Sequence, residues 1–332
     1  MDRRAFLAVI AGGMLASPLA HAQQAGRPHR IAFLPDFSPS REYRLKLFVE
    51  TLRELGRTEG RDYVFYRSGV FYEGDTRLAL ERVLEARPDL ILTFNLGYAV
   101  AAHEATKAIP IVMWVSGFPV EGGVAESLTR PGKNVTGLTI YAGGEVFGKL
   151  VQLVHQAKPA ARRIGVFNGY VPPFHPPAEA DVVVRGLRSV TAPLGLDLRI
   201  FEIVKPEDVD EALAWVTAQG VEALVLTSDP SLLRRASDIT RFAIARRLPT
   251  IADATWSAVE PRPLLWYAAS FDALTRQVAP YVNRILWGGA RPGELPIQLP
   301  AKFELVVNLK VAKALGLTIP QSLLQRADQV IE

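Results

Sequence analysis

The chain contains no cysteine among its 332 residues. This absence excludes disulfide bonds, thiolate metal sites, thiol catalysis and a lipid attached to an N-terminal cysteine. Histidine is also scarce, and no two of the histidines stand at the i, i+3 or i, i+4 spacing that would place them together on a helix. We therefore expect no metal site, and we expect packing alone to hold the fold.

Familiar catalytic and phosphate-binding motifs are missing as well. The sequence has no Gly-x-Ser-x-Gly, His-Glu-x-x-His, Gly-x-x-x-x-Gly-Lys-Ser/Thr or Gly-x-Gly-x-x-Gly, so hydrolase, zinc-protease and nucleotide-binding functions lack their usual signatures. The net charge is +4 and no block of Lys and Arg forms a stripe that could follow a phosphate backbone. We expect a protein that is not an enzyme, with no cofactor and no nucleic-acid partner.

The N-terminus carries the clearest localisation signal in the sequence. Arg3 and Arg4 precede an apolar stretch that runs to Leu19, and Ala20-His21-Ala22 offers a small-x-small cleavage site. The apolar stretch is too short for a membrane-spanning helix of about 20 residues. This pattern predicts a signal peptide over residues 1–22, cleaved near Ala22, and a mature protein in the periplasm. The paired arginines are typical of twin-arginine export, but the choice between that route and the Sec route stays open.

The remaining chain reads as an ordinary globular protein, with 49% hydrophobic and 22% charged residues. Its length fits two domains. Short β-rich runs alternate with helical patterns, beginning with a predicted strand Ile31–Leu34 and a predicted helix over 40–55. The 3-4-3 spacing of Leu45, Phe48, Leu52 and Leu55 places these residues on one face of that helix. The alternation restarts after residue 141 and includes one predicted helix over 231–246.

This alternation is typical of parallel sheets with crossover helices. It predicts an α/β fold of two halves between which the chain crosses several times. Such a molecule can open and close as a hinge around a small ligand, because a few residues at the crossings absorb the change in backbone dihedral angles.

Ligands in open α/β sheets bind outside the carboxyl ends of the strands. We therefore take polar and aromatic residues at these ends as candidate ligand-binding residues. In the first half they are Asp36, Phe37, Ser38, Phe94, Asn95, Ser116 and Phe118. In the second half they are Asn168, Tyr170, Asp229, Asp253 and Trp256.

The candidates divide by chemistry. The serines and Asn95 can hydrogen-bond a carboxylate or carbonyl, either aspartate of the second half can pair with an amine, and the aromatic residues can form apolar walls. Each type has a structural alternative. Ser38 can cap the following helix, Asp229 can open one, and Phe94 can belong to the strand core.

Two extended motifs resemble those of the ABC transporter substrate-binding protein family that includes tryptophan- and tyrosine-type binders of bacteria. The first motif is Arg-Pro-Gly-x-Asn-Val-Thr-Gly at residues 130–137, and the second is Lys-Phe-Glu-Leu-Val-x-Asn-Leu-Lys at residues 302–310. Leu-Arg-Glu-Leu-Gly at residues 52–56 and Ile-Pro-Ile-Val at residues 109–112 extend the resemblance along the chain.

This resemblance implies a type I periplasmic-binding-protein fold. It has two Rossmann-like lobes with parallel sheets, joined by a three-segment hinge, with the ligand between the lobes. Residues 27–141 and 271–295 would form the N-terminal lobe, and residues 142–270 and 296–332 the C-terminal lobe. The resemblance also implies a periplasmic solute-binding component of an uptake system, with an ABC permease of the inner membrane as its partner. We expect a monomer.

The sequence departs from the family pattern at the expected cleft. Phe118 in Gly-Phe-Pro-Val stands where the family commonly has an aspartate, and the stretch 263–269 differs from the usual Gly-Gly-Leu-x-Ser-Tyr-Gly. Loss of a carboxylate and gain of an aromatic ring favour an apolar or aromatic organic acid as the ligand, with an amino acid second. An exported α/β enzyme acting on a small substrate and a ligand-dependent partner of a membrane sensor are the alternatives.

Overall fold

A computed structural model describes most of the chain after the predicted signal peptide. The described residues are 27–35, 42–70, 75–141, 143–169, 177–227, 230–253 and 260–332. The predicted signal peptide at residues 1–22 lies outside them. Within the described ranges, no helix is both long and apolar enough to span a membrane.

Strands and helices alternate through most of the chain. The strands are β1 His29–Leu34, β2 Tyr63–Tyr66, β3 Leu90–Thr93, β4 Ile111–Met113, β5 Val135–Gly137, β6 Arg163–Asn168, β7 Asp197–Glu202, β8 Ala223–Leu226, β9 Thr250–Ala252, β10 Leu265–Ala269, β11 Phe303–Asn308 and β12 Gln329–Ile331. The helices are α1 Glu42–Glu54, α2 Thr76–Glu85, α3 Leu96–Ala105, α4 Glu145–Ala157, α5 Pro177–Arg188, α6 Thr191–Leu194, α7 Asp208–Ala218, α8 Pro230–Arg234, α9 Ala236–Ala245, α10 Phe271–Leu286, α11 Leu309–Leu315 and α12 Gln321–Leu324.

The strands form two sheets, which confirms the predicted α/β class. The first sheet has the order β2-β1-β3-β4-β5, and all of its neighbouring strands are parallel. The second has the order β12-β11-β10-β9-β8-β6-β7 and is parallel except between β10 and β11. We call each sheet, with the helices packed on it, the first lobe and the second lobe.

Helix α1 shows how the apolar pattern builds the first lobe. It buries Leu45, Phe48 and Leu52, as the sequence predicts. The prediction is wrong for Leu55, which is 38% exposed because the helix ends at Glu54. The ring of Phe48 lies 4.7 Å from that of Trp114, which follows β4. Both side chains are almost fully buried, and burying a large aromatic side chain removes roughly 150–250 Å² from water. Helix α10 packs beside α1 although some 220 residues separate them in the chain, and so it belongs to the first lobe.

One helix prediction is wrong. The segment predicted as a single helix over 231–246 forms two helices, α8 and α9, that meet at Arg235. The backbone of Arg235 has φ −112°, outside the helical range. Its guanidinium group binds the carboxylates of Asp210 and Asp238 at 2.7 and 2.6 Å. Asp210 belongs to α7 and Asp238 to α9, so Arg235 joins the two helices at the break. The apolar periodicity of the sequence carries no information on this interaction.

The chain passes between the lobes after β5, after β10 and before β11. Hydrogen bonds join these three crossings directly. Thr139 N donates to Gln298 O at 2.9 Å, Gln298 N donates to Gly137 O at 3.0 Å, and Ser270 N donates to Lys302 O at 3.0 Å. The crossings therefore lie side by side, as a three-segment hinge requires.

The motif at residues 130–137 holds the first crossing in place. The Asn134 amide donates to two backbone carbonyls, and the Thr136 hydroxyl donates to Leu295 O at 2.7 Å. Gly137 has φ +123°, and a Cβ there would lie 2.2 Å from the carbonyl oxygen of Met113. Only glycine fits at that position. The contacts of this motif hold the backbone in place, and they determine where the chain leaves the first sheet.

Candidate functional site

The two lobes meet at the loop that follows β4. A Cβ added to Gly117 would lie 2.9 Å from Oε1 of Glu179 and 3.3 Å from the ring of Tyr141. Glu179 stands in the first turn of α5, on the second lobe, and Tyr141 stands on the first crossing. Glycine at 117 therefore lets a backbone segment of the first lobe approach a carboxylate of the second lobe.

Tyr141 lies at the centre of this junction. Its ring stacks on Phe118 with centroids 5.3 Å apart and contacts Phe147 at 4.9 Å. Its hydroxyl donates a hydrogen bond to Oδ2 of Asp253 at 3.1 Å. The side chain thus joins the end of the first sheet to the end of β9 in the second, through both its apolar ring and its polar tip.

Phe118 reaches across from the first lobe into the core of the second. Its side chain is 2% exposed, and it belongs to the same apolar cluster as Phe147 and Leu150 of α4. Its backbone is left-handed, with φ +38°, a conformation that costs a non-glycine residue of order 1–3 kcal/mol unless the surroundings hold it. The buried ring is what holds this residue in place. Phe118 is thus an interlobe contact in this conformation.

Two buried carboxylates border the junction. Glu179 is 1% exposed and Asp253 is 2% exposed. A carboxylate offers about four hydrogen-bond acceptor positions, and removing its charge from water is costly unless donors or cations surround it. Glu179 lies beside Gly117, and Asp253 accepts from the Tyr141 hydroxyl, so both carboxylates bring hydrogen-bond acceptors to the junction.

The other described candidates have local roles. Phe94 packs against Trp114, with centroids 5.2 Å apart, in the first-lobe core. Asn95 caps α3, because its Oδ1 accepts from Tyr98 N at 2.8 Å. The Ser116 hydroxyl donates to Gly117 O at 3.2 Å.

Asn168 is fully buried at the end of β6, and its backbone carbonyl accepts a hydrogen bond from Ile203 N at 2.9 Å. Its position is the one the sequence analysis used, at the carboxyl end of a central strand. The candidates outside the described residues are Asp36, Phe37, Ser38, Tyr170, Asp229 and Trp256.

The structure therefore brings Phe118 and Asp253 together through Tyr141, a residue that the sequence analysis did not select. It also adds Gly117 and Glu179. Tyr141 ends the first half of the predicted alternation, so its position at this boundary offered a usable signal. Glu179 lies in the helix after β6, eleven residues beyond the strand end, and the search of strand ends did not reach it.

No group of three or more His, Asp or Glu residues that could hold a metal ion occurs in the part of the chain that the structure describes. The junction is thus characterised by two carboxylates, aromatic rings and backbone groups.

The sequence matches a known protein family and a curated relative. The model of the family described as "ABC transporter substrate binding protein" matches residues 37–331. A curated relative, the tyrosine-binding protein of Clostridioides difficile (strain R20291), is 23% identical over 280 residues, which cover 84% of this chain and 78% of the relative.

Solved structures resemble the fold over nearly its whole length. An ABC domain in complex with L-Trp from Streptococcus pneumonia has a TM-score of 0.79 and 23% identity, with 92% of this chain and 100% of that chain covered. A conserved domain protein from Vibrio cholerae has a TM-score of 0.78 and 25% identity, with 91% and 99% covered.

Proposed function

The chain belongs to the ABC transporter substrate-binding protein family, and on that premise we propose that it captures a small amino acid-like ligand with a flat apolar body between its lobes. Proteins of this family bind small-molecule ligands, work with ABC permeases and typically act outside the cytoplasm. The curated relative is named a tyrosine-binding protein, and the ABC domain from Streptococcus pneumonia was solved in complex with L-Trp. A binding role is therefore the premise, and the class of ligand is the proposal.

The observation that carries the ligand class is the pair of buried carboxylates beside aromatic rings. Glu179 and Asp253 supply negative charge to a ligand ammonium group, and charge-assisted hydrogen bonds are roughly twice as strong as neutral ones. Tyr141 and Phe118 supply apolar surface next to that charge. A ligand with a planar apolar body and an amino group matches both features.

This proposal places an amino acid first and an apolar or aromatic organic acid second, which is the reverse of the order that the sequence favoured. In the sequence, Phe118 stands where the family resemblance implies an aspartate, and this departure favoured an organic acid. Glu179 brings a second carboxylate to the junction, so another element supplies the carboxylate that position 118 lacks. The tyrosine and L-Trp named for the two relatives are of the same class.

Binding would work by population shift between open and closed lobes. The crossings at residues 138–144, 270 and 296–302 change their dihedral angles, and a ligand that contacts both lobes stabilises the closed form by its differential affinity for it. We propose residues 27–141 with 271–295 and residues 142–270 with 296–332 as the two moving bodies. The permease would then recognise the closed form.

Isothermal titration calorimetry with four matched compounds tests the ligand class. L-tryptophan and L-tyrosine carry both the ring and the ammonium group, indole-3-propionate lacks the ammonium group, and tryptamine lacks the carboxylate. We expect an aromatic amino acid to bind at least about tenfold more tightly than indole-3-propionate, because one charge-assisted hydrogen bond is worth about 1.5–3 kcal/mol. Equal or tighter binding of indole-3-propionate would contradict the proposal. Recovery of the ligand chemically unchanged separates binding from turnover.

We also propose that the mature protein is a periplasmic monomer, released by cleavage near Ala22 after export by the twin-arginine route. Mass measurement of the exported protein would locate the cleavage site, and replacement of Arg3 and Arg4 by lysine should block export by that route. Export that continues unchanged would favour the Sec route. Size-exclusion chromatography with light scattering reports the number of subunits.

A further inference from the structure

A cavity lies at the hinge, with Tyr141 in its wall. Its volume is about 390 Å³, within the range of pockets that hold small molecules. The lining residues come from the first crossing and α4, from β10, and from the third crossing and β11; they are Tyr141, Gly143, Glu145, Val146, Lys149, Tyr267, Leu299, Pro300 and Phe303. We call this cavity the hinge pocket.

Aromatic and apolar side chains form most of the hinge pocket. The rings of Tyr267 and Phe303 lie nearly parallel, 18° apart in orientation and with centroids 5.4 Å apart. Leu299 lies at the rim, 42% exposed, and adds apolar surface to the opening of the pocket. Burial raises the pKa of the Tyr267 phenol, so this hydroxyl is neutral near pH 7. A flat apolar molecule fits these walls.

One positive charge faces this apolar space. Lys149 on α4 has no hydrogen-bond or ion-pair partner among the residues that the structure describes. Burial lowers the pKa of its ammonium group, and the positive charge of Arg326 lowers it further. An anion placed beside Lys149 would relieve both effects.

Glu145, one turn earlier on α4, is the acidic residue of the pocket. Its carboxylate folds back over the first crossing, where a Cβ on Gly143 would lie 2.5 Å from Oε2. The carboxylate therefore lies close to the backbone, while the lysine is left without a partner. Charge and shape together favour an aromatic anion over a neutral or cationic molecule.

We propose that the hinge pocket is a second small-molecule site, which binds an aromatic carboxylate with its ring against Tyr267 and Phe303 and its acid group on Lys149. The occupant would touch two of the three crossings, and Tyr141 would link it to Asp253 in the interlobe junction. Its binding would consequently depend on how far the lobes are open, and by linkage it would shift that equilibrium.

Titration with 2-naphthoate, followed by its fluorescence, tests the site without any cleft ligand, so its outcome is independent of the ligand proposed above. We expect saturable binding by the full mature chain that weakens at least tenfold in Lys149→Met. The matched control Lys313→Met removes an exposed lysine of α11 on the same lobe and should leave the affinity within twofold. The neutral isostere 2-naphthamide should bind at least tenfold more weakly than 2-naphthoate.

Location is checked with Val146→Trp, which fills the pocket and should abolish binding. Thermal melting monitors the fold of each variant, and Lys149→Met keeps the test valid if Val146→Trp does not fold. Methyl NMR should show naphthoate-induced shifts at Val146 and Leu299. Absence of saturable binding, or equal affinity in wild type and Lys149→Met, would overturn the proposal.

Discussion

The two lobes present different chemistry where they face each other. At the ends of β3 and β4, the first lobe offers Phe94, Asn95 and Ser116, which are uncharged and engaged in packing, capping or local hydrogen bonds. The second lobe offers the carboxylates of Glu179 and Asp253, both buried. The two lobes thus share a strand pattern but not a role.

This difference indicates that the two lobes contribute differently to ligand recognition. The second lobe would identify the charged group of the ligand, and the first lobe would close over it with backbone and apolar surface. Gly117 supports this division, because its missing side chain leaves room for Glu179. Substitutions on the two sides should accordingly have unequal effects on affinity.

The largest expected effect is loss of a second-lobe carboxylate. Asp253→Asn or Glu179→Gln should weaken binding of an aromatic amino acid by about 10- to 150-fold, the equivalent of one charge-assisted hydrogen bond of about 1.5–3 kcal/mol. Ser116→Ala, on the first lobe, should change the affinity by less than about threefold. Calorimetry measures all three, with thermal melting to confirm folding. Equal losses of affinity in the first-lobe and second-lobe variants would contradict the proposal that the two lobes contribute differently.

A smaller effect is expected at the residue that joins the two sides. Tyr141→Phe keeps the stack on Phe118 but removes the hydrogen bond to Asp253. We expect affinity to fall about three- to tenfold, since a typical hydrogen bond contributes about 0.5–1.5 kcal/mol. Tyr267→Phe is the control, because it removes a hydroxyl from the neighbouring hinge pocket. If the two variants have the same ligand affinity, the hydrogen bond from Tyr141 to Asp253 does not contribute to binding.

Asn95 should affect stability and not affinity. Its side chain caps α3 just as Asn308 caps α11 in the second lobe, through Oδ1 and the backbone N–H three residues later. Asn95→Ala and Asn308→Ala should each lower the free energy of unfolding by about 1 kcal/mol, with ligand affinity within about threefold. Chemical denaturation and calorimetry provide the two readings. A large loss of affinity in Asn95→Ala alone would make this residue a ligand contact.

The smallest effect on stability is expected for Glu222, a carboxylate of the second lobe. It lies at the amino ends of β6 and β8, whereas the interlobe junction lies at the carboxyl ends of the strands. Glu222 accepts hydrogen bonds from the backbone N–H groups of Arg162 and Arg163. The Arg163 N–H, and then that of Arg162, lowers the pKa of Glu222 from its ordinary value.

Because the pKa of Glu222 is lower in the folded state, its stabilising contribution is complete above the ordinary pKa of a glutamate, about 4.3. It is lost as the pH falls through the folded value. Glu222→Gln should therefore lower the melting temperature slightly near pH 7, and this difference should shrink on acidification from about pH 5 to pH 3. Ligand affinity should not change, in contrast to the cleft carboxylates. A difference that grows toward acid pH would contradict this role.

Much of the fold could be predicted from the sequence because local patterns determine it. The spacing of Leu45, Phe48 and Leu52, at intervals of three and four residues, placed α1 correctly, and the β-rich runs marked the central strands of both sheets. The break at Arg235 could not be predicted, because it depends on Asp210 of another helix. The antiparallel placement of β11 beside β10 likewise depends on a chain that returns from the first lobe.

The candidate site was only partly accessible to sequence reasoning. The rule about strand ends led to Asp253 and Phe118, but it treated Phe118 as a wall of the cleft, and in this conformation the ring lies in the second-lobe core. Glu179 joins the site because a helix begins beside Gly117 of the other lobe. A contact between lobes leaves no local periodicity. The hinge pocket was hidden for the same reason, since its walls come from segments more than 100 residues apart.

Capture of a ligand between moving lobes is the central claim, and the distance between the lobes tests it most directly. The absence of cysteine allows spin labels at Lys46→Cys on α1 and Arg241→Cys on α9 without other changes. With L-tryptophan or L-tyrosine at a concentration that calorimetry shows to be saturating, pulsed electron resonance should report a shorter and narrower distance distribution. Asp253→Asn should require more ligand for the same shift. An unchanged distribution with ligand bound, or binding by neither amino acid, would contradict the account.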